Sequence, residues 1–153
     1  MKKYRNILAT VAGFIIGSVV NMILVAISGK IIPLPTGVNN NNAEGLAAGM
    51  HLMEPKHFIF PFLAHALGTL VGAFIATKLS NPKSIVGPMV IGFLFLAGGI
   101  ANIFMIPNAP MWFNCLDLIL AYIPMAYLGY ILGRKLKKQL NWVAFLLFNR
   151  NIL

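Results

Sequence analysis

The chain has 153 residues, of which 59% are hydrophobic and only 10% charged. A soluble domain carries about 25% charged residues, and a chain this short has too little interior to bury so much apolar surface, so a soluble globular protein is excluded. Twelve Lys and Arg stand against three Asp and Glu, a net charge of +9, but the basic residues cluster at the ends of apolar runs. That placement fits membrane topology and anionic headgroups rather than a nucleic-acid surface. The single cysteine, Cys115, rules out an internal disulfide framework.

A helix needs about 20 apolar residues to cross the hydrocarbon core. Four runs meet that length without any Lys or Arg: residues 7–28, 58–77, 85–106 and 116–132. The first follows Lys2, Lys3 and Arg5 and so has the look of a signal peptide. It exceeds the 7–15 residues of a signal core and lacks a small-residue cleavage site, which makes it a retained span. The outer loop, 29–57, carries Pro33, Pro35, Gly37 and the run Asn39 to Asn42, so it reads as irregular. Within it, 43–53 is expected to form a short helix ending at Pro55. Pro88 is tolerated in the first turn of the third span. Pro124 lies inside the fourth and is expected to kink it. Asp117 is expected to open the fourth span, with Trp112 and Phe113 as aromatic anchors before it. The run Trp142 to Phe148, within the segment 139–153, is too short to span and is expected to lie in the inner interface. The expected fold is therefore an all-α integral membrane four-helix bundle.

Charge orients it. Lys2, Lys3, Arg5, Lys78, Lys83, Arg134, Lys135, Lys137, Lys138 and Arg150 fall on one side, leaving Lys30 and Lys56 with Glu44 and Glu54 on the other. The basic side is the cytoplasmic one, so both termini are expected inside.

Spans two and four align without gaps. Leu63-Ala64-His65 matches Leu120-Ala121-Tyr122, Gly72 matches Gly129, and Lys78-Leu79 matches Lys135-Leu136. Spans one and three share Gly17-x-x-x-Asn21 and Gly98-x-x-x-Asn102. Two tandem hairpins related by a parallel pseudo-two-fold would produce this pattern, and so would chance similarity among apolar helices. Three spans also carry Gly-x-x-x-Gly, at Gly13/Gly17, Gly68/Gly72 and Gly129/Gly133. Such pairs let two helix backbones approach closely, within the bundle or against another protein.

Polar side chains inside spans are the best pointers to function. Asn21, His65, Asn102 and Asp117 all fall in the outer half by this topology. They are expected either to form a small ligand or permeation site or to make a structural hydrogen-bond network in which Asp117 caps span four. A second group is His51-x-x-Glu54-x-x-His57, flanked by Met50 and Met53. Its residue types are credible metal ligands, but the spacing converges only if Pro55 breaks the helix. In the alternative reading, Glu54 folds over the bundle and pairs with His65. Among catalytic signatures, G-x-S-x-G, H-E-x-x-H and the P-loop are all missing, so an enzyme is not expected. An acidic neighbour such as Asp117 raises a thiol pKa and leaves Cys115 a poor nucleophile.

Two blocks carry a resemblance. One runs from Gly49-Met50-His51 to Gly72 and contains Glu54-Pro55-Lys56-His57-Phe58 and Ala64-His65-Ala66-Leu67-Gly68-Thr69. The other runs from Gly98-Gly99-Ile100-Ala101-Asn102 to Tyr127-Leu128-Gly129. They resemble a group of small four-helix bacterial membrane proteins, which implies the fold and a bacterial cytoplasmic (inner) membrane and brings no activity with it. Two function classes follow from the residues. One is a solute- or ion-handling protein, expected to be a homo-oligomer. The other is an accessory subunit gripping a larger membrane partner. No cofactor is expected apart from the metal reading.

Overall fold

The computed structural model describes residues 2–80 and 84–150; Lys83 lies outside them, as do the side chains of Lys2, Lys3 and Arg150. The described residues form helices α1 (Lys2–Ile31), α2 (Ala43–Gly49), α3 (Ile59–Leu79), α4 (Val86–Met105), α5 (Met111–Leu120) and α6 (Ile123–Arg150). Two short 3-10 turns, Met50–Leu52 and Pro55–Phe58, lead from α2 into α3. No strand occurs among the described residues. Four stretches are long and apolar enough to cross a membrane: Tyr4–Ile31, Pro55–Leu79, Val86–Met105 and Met111–Leu140. The chain is an all-α, multi-pass membrane protein.

Local chemistry sets the boundaries. Asn42 caps α2, its side-chain oxygen accepting from Gly45 N at 2.7 Å. Pro88 sits buried in the first turn of α4, where its missing N–H costs nothing. Beyond α4 the chain turns at Pro107 and Asn108, and Asn108 adopts a left-handed φ of 73°, which an asparagine tolerates. Its side chain donates to Ala47 O at 3.4 Å and ties this turn to α2.

The fourth span differs from the expectation of 116–132. It starts at Met111, because Pro110 O accepts from Phe113 N and Asn114 N and begins the helix there. Asp117 is therefore in mid-helix and does not cap the span. Trp112 and Phe113 belong to α5, and Phe113 is buried against Phe58, with ring centroids 4.8 Å apart. The kink expected at Pro124 is a full break between α5 and α6. Proline has no N–H for Leu120 O, and its ring crowds that carbonyl. The helix restarts with Ala126 N donating to Tyr122 O at 2.8 Å. At the other end, α6 runs on to Arg150. The segment from 139 is thus a continuation of α6 rather than a separate element, since no Pro or Gly interrupts it.

Packing centres on α3. Its small residues Ala64, Gly68, Gly72, Ala73 and Ala76 are buried, and its buried hydroxyls are satisfied within the helix, Thr69 on His65 O and Thr77 on Ala73 O. On one side Gly13 and Gly17 of α1 lie against Gly72 and Gly68, so that a Cβ at either α1 position would run into a carbonyl oxygen of α3. On the other side Gly129 and Gly133 of α6 meet Leu70 O, Phe74 and Thr77. All three glycine pairs are used inside the chain. The aligned halves nonetheless pack differently. Gly17 is pressed on α3, whereas a Cβ on its counterpart Gly98 would meet open space. The matched pair His65 and Tyr122 does lie together, ring centroids 5.6 Å apart.

One end of the bundle is basic. Lys137 Nζ donates to Lys78 O at 2.9 Å and to Ser80 O at 2.7 Å, closing the C-terminus of α3. Arg5 and Lys78 are near enough to Lys137 to repel it.

Gly17→Leu is expected to lower the stability of the purified protein by about 1–3 kcal/mol through overpacking. Gly98→Leu should leave it close to wild type. Thermal unfolding in mild detergent checks this, and equal losses for the two variants would show that α1 does not pack on α3 through glycine.

Candidate functional site

The polar residues of the half of the bundle away from the basic end come from four different helices. His65 sits six residues into α3, Asp117 in the middle of α5, Asn21 toward the end of α1 and Asn102 in the last turn of α4. His65 Nδ1 lies 3.0 and 2.9 Å from the two oxygens of Asp117. Tyr122 donates its hydroxyl to Asp117 Oδ2 at 2.7 Å. Asp117 is only 5% exposed, so these contacts replace its water. An ionised carboxylate cannot donate; Nδ1 must then carry a proton, which fixes the ring's orientation. The opposite nitrogen, Nε2, has no partner among the described residues and can accept a hydrogen bond when the ring is neutral.

These groups line a cavity of about 510 Å³ bordered by α1, α3, α4 and α5. Met50, Met53 and Phe58 of the outer loop and the start of α3 form part of its wall. Asn21 and Asn102 reach it as well, together with Ser18 and Asn114. Asn114 is bound to Ala109 O at 3.5 Å. The side chains of Ser18, Asn21 and Asn102 make no hydrogen bond among the described residues, and no Lys or Arg lines the cavity.

All four expected residues thus border one space, but only His65 and Asp117 bond to each other. Tyr122, Ser18 and Asn114 were not anticipated. On an unbroken helix Tyr122, five residues after Asp117, would lie roughly 140° around from it at 100° per residue. The break ahead of Pro124 removes that constraint and brings the hydroxyl back. The visible signals were the alignment of Tyr122 with His65 and the proline two residues on.

The structure does not bring His51, Glu54 and His57 together as a metal site. His51 Nδ1 is engaged with Ala48 O at 2.8 Å. Glu54 is paired at the surface with Lys56 at 3.0 Å and does not reach His65. His57 is buried, its Nδ1 accepting from Glu54 N at 2.9 Å and its Nε2 donating to Pro33 O at 3.2 Å. Both ring nitrogens are spent on holding the outer loop. The described residues contain no group of three His, Cys, Asp or Glu that could hold a metal ion. Cys115 is exposed on α5.

No family model matches the chain, and neither curated proteins nor solved structures provide a match.

Tyr122→Phe keeps the ring and deletes the donor to a buried carboxylate. It is expected to cost about 1.5–3 kcal/mol of unfolding free energy. In an Asp117→Asn background the same change should cost less. A double-mutant cycle by denaturation in detergent measures the coupling, and a coupling of zero would contradict the bond.

Proposed function

We propose that this chain is a solute- or ion-handling protein of the bacterial cytoplasmic membrane that binds its ligand in the outer-half cavity. One observation carries the reading: unpaired hydrogen-bonding groups of Ser18, Asn21, His65 and Asn102 border a single space between apolar helices, Asn102 at its exposed edge. An unsatisfied polar group in hydrocarbon costs several kcal/mol. Evolution tolerates four such groups together where a polar guest, or the water it displaces, satisfies them. The His65–Asp117–Tyr122 triad adds an imidazole ring held in place by its Nδ1 contact with Asp117.

The basic end made by Arg5, Lys78 and Lys137 faces the cytoplasm under the positive-inside rule, with both termini there. Trp142 and the basic run Arg134 to Lys138 in the middle of α6 lie at that interface. The four spans make a thin wall, so a path across the membrane requires a second copy of the chain, and the working unit is a homo-oligomer. The accessory-subunit reading would have the glycine pairs grip a partner, but all three pairs are consumed by contacts within the chain.

A liposome uptake screen over ions and small solutes tests this. Wild-type protein should carry at least one of them, with flux falling roughly tenfold, worth about 1.4 kcal/mol, in Asp117→Asn. Equal flux in the two proteins for every solute would overturn the reading. Orientation is checked separately in a Cys115→Ser background. A cysteine at Asn41 should react with an impermeant maleimide in intact cells, and one at Lys138 only after permeabilisation. The reverse pattern would refute the topology.

A further inference from the structure

We infer that the ligand is a single-chain amphiphile with an uncharged, hydrogen-bonding head, admitted from the lipid between α1 and α4. This rests on the outer cavity being the binding site and names what it takes.

The argument starts from how α1 and α4 meet. Toward the basic end they are in contact: Thr10 lies over Gly87, Ile91 fills the space beside Gly13, and Phe14 touches Phe95 edge-on with centroids 5.5 Å apart. Outward of Phe95 they part. Gly98 faces open space, and Asn102, which lines the cavity, is itself exposed at the bundle surface. Met22, Val25 and Leu94 are likewise both exposed and cavity-lining. The cavity is therefore open sideways, where the surroundings are hydrocarbon.

A second cavity of about 580 Å³ continues along the same pair of helices toward the basic end, lined by Ile7, Val11, Val86 and Val90. Phe14 and Leu94 border both cavities. Thr10, on the second one, spends its hydroxyl on Asn6 O, so its wall is apolar for most of its length. A polar chamber and an apolar groove thus adjoin over two shared side chains. From Asn21 to Thr10 the helix rise is roughly 17 Å, enough for an extended acyl chain. A water-soluble solute would leave the groove unused, and a two-chain lipid would need a second groove.

The head group follows from the chamber. No Lys or Arg lines it to balance an anion. Asp117 is the one carboxylate among the lining residues and is already engaged by His65 and Tyr122, so a cation would have to compete with both for it. What remains is two carboxamides, a hydroxyl and an imidazole nitrogen, a set suited to alcohol or amide groups.

The test uses the full chain in phosphatidylcholine nanodiscs and a monoacylglycerol carrying a diazirine at the end of its acyl chain. Photolysis should label residues 7–14 of α1 and 86–94 of α4, and excess unlabelled monoacylglycerol should suppress that label. Labelling should fall roughly tenfold in Asn21→Ala combined with Asn102→Ala, the loss expected for two hydrogen bonds. It should fall as well in Gly98→Leu, which fills open space at the mouth and keeps the melting temperature of wild type. Label spread evenly over Ile119, Leu128 and Leu132, or unchanged in both variants, means bulk lipid and overturns the inference. Stronger seam labelling by the matching fatty-acid probe overturns the uncharged head. If the seam is not labelled but Asp117→Asn still abolishes uptake of a soluble solute, the cavity remains the site and the amphiphile is wrong. If both fail, both readings fall.

Discussion

Everything else in the molecule depends on how closely α1 can lie on α3. In lipid no hydrophobic force drives helices together, so association rests on close packing and on hydrogen bonds. Gly13 and Gly17 against Gly72 and Gly68 bring two backbones into contact, and Gly129 and Gly133 do the same for α6 on the opposite side. The small-residue helix α3 becomes the axis, gripped from both sides. The remaining long helix, α4, has no glycine pair of this kind: Gly87 meets Thr10, Gly92 meets Ala126 and Gly99 meets Tyr122 singly, while Ile91 and Phe95 pack as larger side chains.

That inequality creates the cavity. With α1 held to α3, the half of α4 away from the basic end does not close on α1, and polar side chains from four helices border the space left over. A uniformly tight bundle would have buried Asn21 and Asn102 against apolar neighbours or excluded them. Gly99 shows the same economy in reverse: a Cβ there would collide with the Tyr122 ring, so its lack of a side chain gives Tyr122 room to reach Asp117.

The second organising event is the break before Pro124. It turns one expected span into α5 and α6 and leaves Asp117 of α5 to meet His65 of α3 and Tyr122 in the break itself. The same proline chemistry shapes the outer loop: Pro55 starts the turn that buries His57, and His57 then clamps Pro33 O, so a residue with metal-binding chemistry serves as a fastener. The outer loop and the kinked span join where Phe58 packs on Phe113 and Trp112.

Much of this was legible in the residues. The apolar runs located all four spans, because hydrophobic length is a property of the chain in one dimension. The helix starting near Ala43 and the disturbance at Pro124 were legible for the same local reason, as was the gathering of basic residues toward one end. Counting along helices placed Asn21, His65, Asn102 and Asp117 toward the same end of their spans, and all four border one cavity. Only the tertiary structure decided which of them bond, because that depends on how each helix is rotated and on a break that realigns Tyr122. It alone decided that the glycine pairs meet each other, that His51, Glu54 and His57 go separate ways, and that α4 parts from α1. Those outcomes rest on contacts between residues far apart in the chain, which no local pattern records.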